Sequence, residues 1–455
     1  MAHVLVLPYP MQSHINPMLQ FAKRLAVKGP RTTIVVTRFI INTIDVDAGP
    51  VSVEPISDGH DEGGMQSAVS LEDYFQKLDE FGSKTLEELI LAHEKSNTPF
   101  TCMIYDSYVP WGLAVAKKFG LPVIAFSTQS CAVSAIYYYV REGKLDVPRV
   151  QAIESFEGLP PMERSDFPSF AFRDGSYPTL TAYALNQFKT EKDDWVLFNS
   201  FDELESEVVR CLKKYMHART IGPCVPLMDV DKHDGSDTYG MSTFEAEKDS
   251  CMKWLDAKPP GSVVYVSFGS FASLGVEQME ELASGLKASD EYFLWVVKGP
   301  DRKNLPREFI EEPPEKGLLV KWSPQLAVLG HEAVGCFATH CGWNSTLETL
   351  SFGVPVVAMP LWTDQPTNAK YVEDMWRVGR RVRAGEKRIF LRDEVERCIR
   401  EVMHGEKSEE IRRNSRRLRD LAKKALREGG SSDQSLNELV GYLNAKAKDR
   451  SASQF

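Results

Sequence analysis

The sequence contains no apolar run that approaches the ~18–20 residues of a membrane-spanning helix. Its first eight residues lack a basic region, and the apolar stretch there is too short for a secretory signal peptide. The eight cysteines are scattered without short paired spacings, which excludes a small disulfide framework and favours a reducing compartment. These absences predict a cytoplasmic protein with no membrane span.

A basic charge excess is also missing. The 455-residue chain has a formal net charge of −10, whereas proteins that bind nucleic acid usually present a basic face to the phosphates. Neither a P-loop nor a Gly-x-Gly-x-x-Gly fingerprint occurs where a strand meets a helix, which argues against kinases and dehydrogenases. We therefore expect no nucleic-acid partner. The length predicts two domains of roughly 200 residues each.

Short apolar segments alternate with amphipathic ones in both halves of the chain. The candidate strands lie at residues 3–7, 32–37, 101–105, 122–126 and 195–198 in the first half, and at 262–266, 292–297, 335–338 and 354–359 in the second. This alternation predicts an α/β fold with two facing Rossmann-like, doubly wound domains. We place them at residues 1–230 and 249–435. Residues 231–248, rich in Asp, Gly, Ser and Lys, are the predicted linker.

The first strand is followed by a loop that carries His14. We predict that the next helix begins after Asn16, which suits an N-cap, with Pro17 in its first turn. In an open parallel sheet, ligands bind beyond the carboxyl ends of the strands. The candidate residues at such ends are His14, Asp106 and Thr128 in the first domain, and Ser270, Trp322, residues 340–345 and residues 364–365 in the second. The order of elements thus predicts one cleft between two sheet edges.

One stretch, residues 322–365, concentrates unusual features. It contains Trp-Ser-Pro-Gln at 322–325, His-Cys-Gly-Trp-Asn-Ser at 340–345, Glu348, and Asp-Gln at 364–365. A buried strand that ends in a small polar corner and opens a helix presents free backbone N–H groups, which form an anion site. A phosphate group is a natural ligand for that corner.

These residues closely resemble the signature box of plant family 1 UDP-glycosyltransferases. The resemblance covers nearly the whole chain and implies the twin-domain GT-B fold, with a last helix at about 436–455 that packs back on the first domain. It also implies metal-independent, inverting transfer of glucose from UDP-glucose, with no further cofactor. The acceptor would be a hydroxyl or carboxyl of a small lipophilic molecule such as a steroid, terpenoid, flavonoid or phenolic.

The resemblance assigns the sugar donor to the second domain. In this interpretation Trp322 stacks on uracil, Glu348 accepts hydrogen bonds from the ribose, and His340 contacts the diphosphate. A Gln at position 365 favours glucose over galactose. The predicted UDP-sugar-binding residues are Thr128, Ser270, Trp322, Ser323, Gln325, His340, Gly342, Trp343, Asn344, Ser345, Glu348, Asp364 and Gln365.

The acceptor must lose a proton as it attacks the anomeric carbon, and a histidine titrates near working pH. A carboxylate on the other ring nitrogen orients such a base and stabilises the imidazolium. His14 and Asp106 are our predicted catalytic pair, in the positions where the family has its base and partner. Asp106 also fits a helix cap, a role compatible with catalysis.

The acceptor pocket is less well defined by the sequence. Ser13 stands where the family usually has Gly, and Thr363 where it usually has Ala or Ser, so the local shape is expected to differ. Aromatic residues that line a pocket equally suit a core. The predicted acceptor-binding residues are Met11, Ser13, Trp111, Tyr137, Trp362 and Thr363.

The sequence offers three further interpretations. His340 with Cys336 and Cys341 does not match a zinc spacing, and the Asp-x-Asp sequences at 45–47 and 229–231 follow no convincing buried strand, so we predict no metal site. A different GT-B enzyme such as a UDP-sugar epimerase, or a non-catalytic nucleotide-sugar binder, are the functional alternatives. A monomer is the default expectation for the oligomeric state.

Overall fold

The computed structural model describes residues 1–453 except 45, 97, 148–151, 173–174, 176, 189–193, 228–238, 243, 312–313 and 386. Much of the predicted linker, the Asp-x-Asp sequence at 229–231 and Asp45 therefore lie outside the described residues. The chain divides into two compact units. The first comprises Met1–Met162, Phe170–Thr243 and Lys423–Phe455, and the second comprises Glu163–Ser169 and Phe244–Ala422.

The first unit is built on a parallel sheet. Its strands are β1 (His3–Leu7), β2 (Arg31–Thr37), β3 (Ser52–Ile56), β4 (Cys102–Asp106), β5 (Val123–Ser127), β8 (Trp195–Phe198) and β9 (His217–Thr220), and a separate two-stranded ribbon joins β6 (Ala152–Ile153) and β7 (Met162–Glu163). The order in the large sheet is β3-β2-β1-β4-β5-β8-β9. All five residues of β1 are buried, as expected for a strand covered on both faces.

Helices cover this sheet and connect its strands. They are α1 (Gln12–Val27), α2 (Arg38–Thr43), α3 (Leu71–Glu94), α4 (Pro110–Lys118), α5 (Cys131–Arg141), α6 (Pro178–Leu185) and α7 (Asp202–Leu212). The core beneath α1 combines residues of the central strands with buried side chains of that helix, among them Met18, Leu19 and Leu25. Parallel strands require such crossover helices.

The second unit repeats this design. Its strands are β10 (Val263–Ser267), β11 (Tyr292–Val296), β12 (Gly317–Val320), β13 (Val334–Thr339), β14 (Val356–Ala358) and β15 (Gly379–Arg381), in the order β12-β11-β10-β13-β14-β15. Its helices are α8 (Lys248–Asp256), α9 (Val276–Ser289), α10 (Arg307–Glu311), α11 (Gln325–Leu329), α12 (Trp343–Phe352), α13 (Gln365–Lys370), α14 (Arg392–His404) and α15 (Ser408–Leu426). Separate apolar clusters lie on the two faces of the sheet.

The last helix, α16 (Ser431–Ser453), returns to the first unit. Its Leu436, Leu439 and Leu443 are buried in the same core as the central strands. The ion pair between Lys28 and Asp433, with Nζ 2.6 Å from Oδ1, joins the end of α1 to the start of α16. The C-terminal segment is thus part of the first unit, although it follows the second in sequence.

Both sheets have the strand order of doubly wound folds. The chain adds strands from the middle of the sheet toward one edge, then returns to the middle and adds strands toward the other edge. The reversal lies between β1 and β4 in the first unit and between β10 and β13 in the second. Ligands bind in the crevice at this switch point. The predicted α/β class and the two Rossmann-like sheets are confirmed.

Several local predictions were wrong. Helix α1 begins at Gln12, so that Asn16 and Pro17 are buried inside it and Met11 is the N-cap residue. Strand β9, which pairs with β8 at the edge of the sheet, was not predicted. Strand β3 was not predicted either: it contains Pro55 and lies at the sheet edge, where strands lack a continuous apolar run.

Among the described residues, no helix is both long enough and apolar enough to span a membrane.

Candidate active site

His14 and Asp106 meet at the switch point of the first sheet. His14 lies in the first turn of α1, directly after β1, and Asp106 is the last residue of β4. The Nδ1 atom of His14 is 2.7 Å from Oδ2 of Asp106. A carboxylate only accepts hydrogen bonds, so this contact places the ring proton on Nδ1 and leaves Nε2 to accept another.

Asp106 is held firmly in place. Its carboxylate is 0 % exposed, accepts the Tyr108 N–H at 2.9 Å through Oδ1, and accepts the Tyr9 N–H at 3.4 Å through Oδ2. The Val109 N-cap of α4 has no side-chain cap, so Asp106 orients the preceding loop rather than capping that helix. The hydroxyl of Thr128 lies 3.0 Å from Nδ1 of His14 as well.

Two tyrosine rings pack edge-on against the imidazole. The ring centroids of Tyr9 and Tyr108 are 5.2 Å and 5.6 Å from that of His14. Their packing restricts rotation of the histidine, whose side chain is 18 % exposed. Ser13 lies in the helical first turn of α1, a conformation open to any residue, so a glycine is not required there.

The second switch point surrounds His340, the residue after β13. A Cβ atom on Gly269 would lie 2.9 Å from the imidazole Cε1, and a Cβ on Gly342 would lie 2.6 Å from Nε2. Both glycines thus allow backbone to approach the ring closely. Cys341, between β13 and α12, has a φ of 63°, which is unusual for a residue with a side chain. Strained backbone of this kind concentrates at functional sites.

The electrostatics of this corner suit an anion. Burial, with a smaller contribution from the Lys298 ammonium, lowers the pKa of His340 from 6.5 to about 4, so its imidazole is neutral at pH 7. The Nζ atom of Lys298 donates to the carbonyl oxygen of Ser270 at 3.0 Å. Helix α12 begins at Trp343, and the N-terminus of a ten-residue helix adds a partial positive charge. A diphosphate suits this set of groups.

A hydrogen-bonded group ties the start of α11 to α12. The Gln325 amide nitrogen donates to the Ser345 hydroxyl at 3.2 Å and also contacts Oε2 of Glu348. The hydroxyl of Tyr265 bonds both Ser323, at 2.8 Å, and Oε1 of Gln325, at 3.0 Å. These contacts bring four of the predicted nucleotide-binding residues, Ser323, Gln325, Ser345 and Glu348, into one network.

Trp322 lies beside this network and is partly exposed. Its ring is 4.4 Å from that of Phe244, centroid to centroid, with 32° between the planes. One indole face is therefore already covered by an aromatic ring. A uracil ring that stacks on Trp322, as predicted, would contact the remaining surface of the indole.

Residues 361–365, called the sugar loop after their predicted role, lead from β14 into α13. Gln365 accepts the N–H groups of Leu361 and Trp362 at 2.9 and 3.1 Å, which closes the loop on itself. Asp364 accepts from the Asn368 amide at 2.7 Å and from the backbone N–H of Trp343. Burial raises the pKa of Asp364 above its usual value. The structure thus brings Asp364 to the start of α12.

The predicted acceptor residues differ in surroundings. Tyr137 is buried within α5, and a Cβ on Gly82 of α3 would lie 2.9 Å from the ring of Trp111, which is also buried. Trp362 is stacked on Phe271, with 5.6 Å between centroids, and Phe271 is 53 % exposed. The Trp362 pair offers an accessible aromatic surface, whereas Tyr137 and Trp111 have the burial of core residues.

Tyr265, Lys298 and Asn368 support the site and were not predicted from the sequence. Asn368 was detectable, because it lies four positions after Asp364 on a helix and shares its face. Tyr265 and Lys298 gave no signal, since one is inside a buried strand and the other follows a strand. In the described part of the chain, no group of three or more His, Cys, Asp or Glu side chains could hold a metal ion.

Comparison with known proteins gives consistent matches. The family model of the UDP-glucoronosyl and UDP-glucosyl transferases matches residues 237–426. An indole-3-acetate beta-glucosyltransferase of Zea mays is 53% identical over 470 residues, which cover 98% of this chain and 99% of that protein. A flavonol 7-O-beta-glucosyltransferase of Arabidopsis thaliana is 47% identical over 452 residues, 98% of this chain and 99% of that protein.

The fold is similar to that of solved enzymes. The crystal structure of Os79 from O. sativa in complex with UDP matches with a TM-score of 0.92 and 40% sequence identity. The match covers 97% of this chain and 100% of that one.

Proposed function

Because the chain belongs to the plant family 1 UDP-glycosyltransferases, we propose that it transfers glucose from UDP-glucose to a small lipophilic acceptor, with His14 as the base. It is a UDP-glycosyltransferase with the GT-B fold. The observation that supports the catalytic part is the 2.7 Å contact between His14 Nδ1 and Asp106 Oδ2 at a switch point. A carboxylate there fixes the tautomer that a base requires.

In the proposed reaction with a hydroxyl acceptor, the acceptor oxygen attacks the anomeric carbon of glucose and Nε2 of His14 takes its proton. The bond between that carbon and the diphosphate oxygen breaks, so UDP leaves with the electron pair. Asp106 stabilises the imidazolium, and the α-linked donor yields a β-glucoside by single displacement. His340, Ser345 and the N-terminus of α12 favour the negative charge on the diphosphate.

The donor contacts follow the resemblance. We propose that Trp322, Ser323, Gln325 and Glu348 hold the uridine, that Ser270, His340, Gly342, Asn344 and Ser345 hold the diphosphate, and that Thr128, Trp343, Asp364 and Gln365 hold the sugar. The networks described above support these roles because they join Ser323, Gln325, Ser345 and Glu348 to one another and hold Asp364 against Asn368.

Acceptor chemistry divides into two classes. The Zea mays relative is named for indole-3-acetate, a carboxylate, and the Arabidopsis thaliana relative for a flavonol hydroxyl. A carboxylate is already ionised at pH 7, so its attack needs no base, whereas a hydroxyl must lose a proton. The higher identity to the first relative favours a carboxylate acceptor for this chain.

The test measures the transfer rate to each of the two acceptors for wild type, His14→Ala and a control variant. The control is His404→Ala, which changes an exposed histidine on α14. We expect His14→Ala to lower the rate with a flavonol by about 10²–10⁴-fold and the rate with indole-3-acetate by less than about tenfold. UDP release and glucoside formation are both measured. A His14→Ala enzyme that retains full flavonol activity would refute the base assignment.

The alternatives have distinct outcomes in the same assay. A change in the sugar of UDP-glucose without any acceptor would indicate an epimerase, and UDP-glucose binding without turnover on any acceptor would indicate a non-catalytic binder. The predicted cytoplasmic location and the monomeric state stay predictions.

A further inference from the structure

A short segment from the first half of the chain belongs to the second unit. Residues Glu163–Ser169 are part of that unit, whereas Met162 and Phe170 on either side belong to the first. The segment contains a 3-10 helix, Arg164–Asp166. The segment contacts α13, β15 and the sugar loop. These contacts indicate a role in sugar binding that no sequence motif predicts.

Asp166 anchors the segment through a buried ion pair. Its Oδ1 is 2.6 Å from Nη1 of Arg381, and the two residues, Asp166 and Arg381, are 3 % and 8 % exposed. Nη2 of Arg381 donates to the Ser165 carbonyl at 3.2 Å, and Nζ of Lys370 is 3.6 Å from Asp166 Oδ2. A buried pair of this kind fixes geometry, because any displacement leaves a charge uncompensated.

The segment also contacts α13, the helix that follows the sugar loop. The buried hydroxyl of Thr367 donates to the Asp166 carbonyl at 2.7 Å. Asp166 accepts the Glu163 N–H through Oδ2 at 2.9 Å, which closes the 3-10 turn. The segment is therefore fixed to both α13 and β15 by directional contacts.

At its end, the segment pairs with the sugar loop itself. The N–H of Ser169 donates to the Thr363 carbonyl at 2.8 Å, and the Ser169 hydroxyl accepts the Thr363 N–H at 3.0 Å. Thr363 has a φ of 59°, in the left-handed region that a side chain disfavours. Such a conformation persists only where the surroundings impose it. Ser169 bonds both polar backbone groups of this residue.

The conformation of Thr363 directs its two neighbours. Its hydroxyl donates to Oδ1 of Asp364 at 2.7 Å, and the Gln365 amide donates to the same hydroxyl at 3.4 Å. These are the two side chains proposed to bind the glucose hydroxyls. A change at Thr363 would therefore alter the direction in which both side chains point.

We propose that Ser169 is a positioning residue for the donor sugar. It holds Thr363 in the left-handed conformation and thereby holds Asp364 and Gln365 where they bind glucose, while it makes no contact with the nucleotide network at Gln325 and Glu348. This inference rests on the proposed sugar-binding role of the loop. It predicts that loss of the Ser169 hydroxyl weakens binding of UDP-glucose but not of UDP.

The experiment measures dissociation constants of UDP-glucose and UDP by calorimetry without acceptor. Ser169→Ala removes the acceptor of the Thr363 N–H and is expected to weaken UDP-glucose binding about 3–10-fold, the effect of one hydrogen bond, with UDP changed less than about twofold. Ser169→Thr retains the hydroxyl and should restore the wild-type ratio. Ser165→Ala, an exposed side chain in the same segment, is the matched control and should leave both constants unchanged.

Each contrary result is decisive. An unchanged UDP-glucose dissociation constant in Ser169→Ala would overturn the inference, since Ser169 would then have no role. An equal loss of affinity for both ligands would also overturn it, since that result indicates general loosening of the structure.

Asp364→Ala is measured in parallel. If Asp364→Ala selectively weakens UDP-glucose binding and Ser169→Ala does not, only the inference about Ser169 fails. If Asp364→Ala leaves the ratio of the UDP-glucose and UDP dissociation constants unchanged, the proposed sugar-binding role of the loop fails, and the inference fails with it. Absence of transfer to every acceptor, with the binding ratios as expected, would contradict the proposed function and not the inference.

Discussion

His14 and Asp106, 92 positions apart in the sequence, meet through a 2.7 Å contact between Nδ1 and Oδ2. The carboxylate is fully buried and accepts backbone N–H groups from both strand-end loops, so neither its position nor its orientation depends on the histidine alone. The pairing arises because β1 and β4 are neighbours at the switch point. The histidine is thus oriented before any ligand binds.

Substitution of Asp106 by Asn should lower kcat with a hydroxyl acceptor by about 10²-fold or more, because the amide cannot stabilise the imidazolium as a carboxylate does. Asn preserves the volume and one backbone contact, so the melting temperature should change little. Kinetics of Asp106→Asn, His14→Ala and the double variant give the measurement. Groups that act as a unit have non-additive effects, so the double variant should be no slower than His14→Ala. Additive losses would show that Asp106 acts independently of His14.

His340 is expected to act as a neutral hydrogen-bond donor, since burial lowers its pKa to about 4. His340→Gln, which keeps a neutral donor, should then bind UDP-glucose within about tenfold of wild type, and His340→Ala should bind more weakly. The wild-type affinity should also stay level between pH 8 and pH 5.5. UDP-glucose is the suitable ligand because its diphosphate does not titrate in this range. Affinity that rises as the pH falls through 6.5, and does so in wild type but not in His340→Gln, would mean that the imidazolium binds the phosphate.

The parts of the fold that were predictable are those with local signals. Buried strands such as β1 and β13 are mainly apolar runs, and the polar residues that follow them predict the sheet edge where the candidate site lies. Edge strands lack that signal: β9, with the sequence His-Ala-Arg-Thr, has Ala218 as its one apolar residue and was not predicted. The early start of α1 was missed because Pro17 suits a first helical turn, yet lies inside the helix here.

The contacts that support the site were not predictable for a different reason. Ser169 and Thr363 are 194 positions apart, and neither lies in a pattern that indicates a partner. The left-handed conformation of Thr363 is imposed by tertiary contacts and has no signature in a residue type that rarely adopts it. The sequence motif predicts which residues bind the donor, and the long-range contacts determine how those residues are held.

Acid should destabilise the first unit through His3. Burial lowers the pKa of His3 from 6.5 to about 4, and its ring bonds the Thr98 carbonyl and the Thr33 hydroxyl, each at 2.9 Å. Between pH 6.5 and 4 the unfolded chain binds the proton more readily than the folded chain, so stability is complete above pH 6.5 and is lost as the pH falls. Between pH 7 and pH 5, His3→Gln should lose about 2 kcal/mol less of its unfolding free energy than wild type does. Urea unfolding at both pH values measures this, and parallel losses in the two proteins would contradict it.

Glu348 provides a test of the nucleotide site that needs no catalysis. It is buried, its Oε2 accepts from the Gln325 amide, and we propose that its carboxylate also accepts hydrogen bonds from the ribose hydroxyls. Glu348→Gln should weaken UDP by about tenfold or more, because hydrogen bonds to a charged acceptor contribute about 1.5–3 kcal/mol. The same substitution should weaken 2′-deoxy-UDP less, since that ligand lacks one of the hydroxyls the carboxylate would bind. Four dissociation constants, for two proteins and two ligands, isolate this pairwise energy. If the loss is the same for both nucleotides, Glu348 does not bind the 2′-hydroxyl, and its effect acts through the Gln325 network instead.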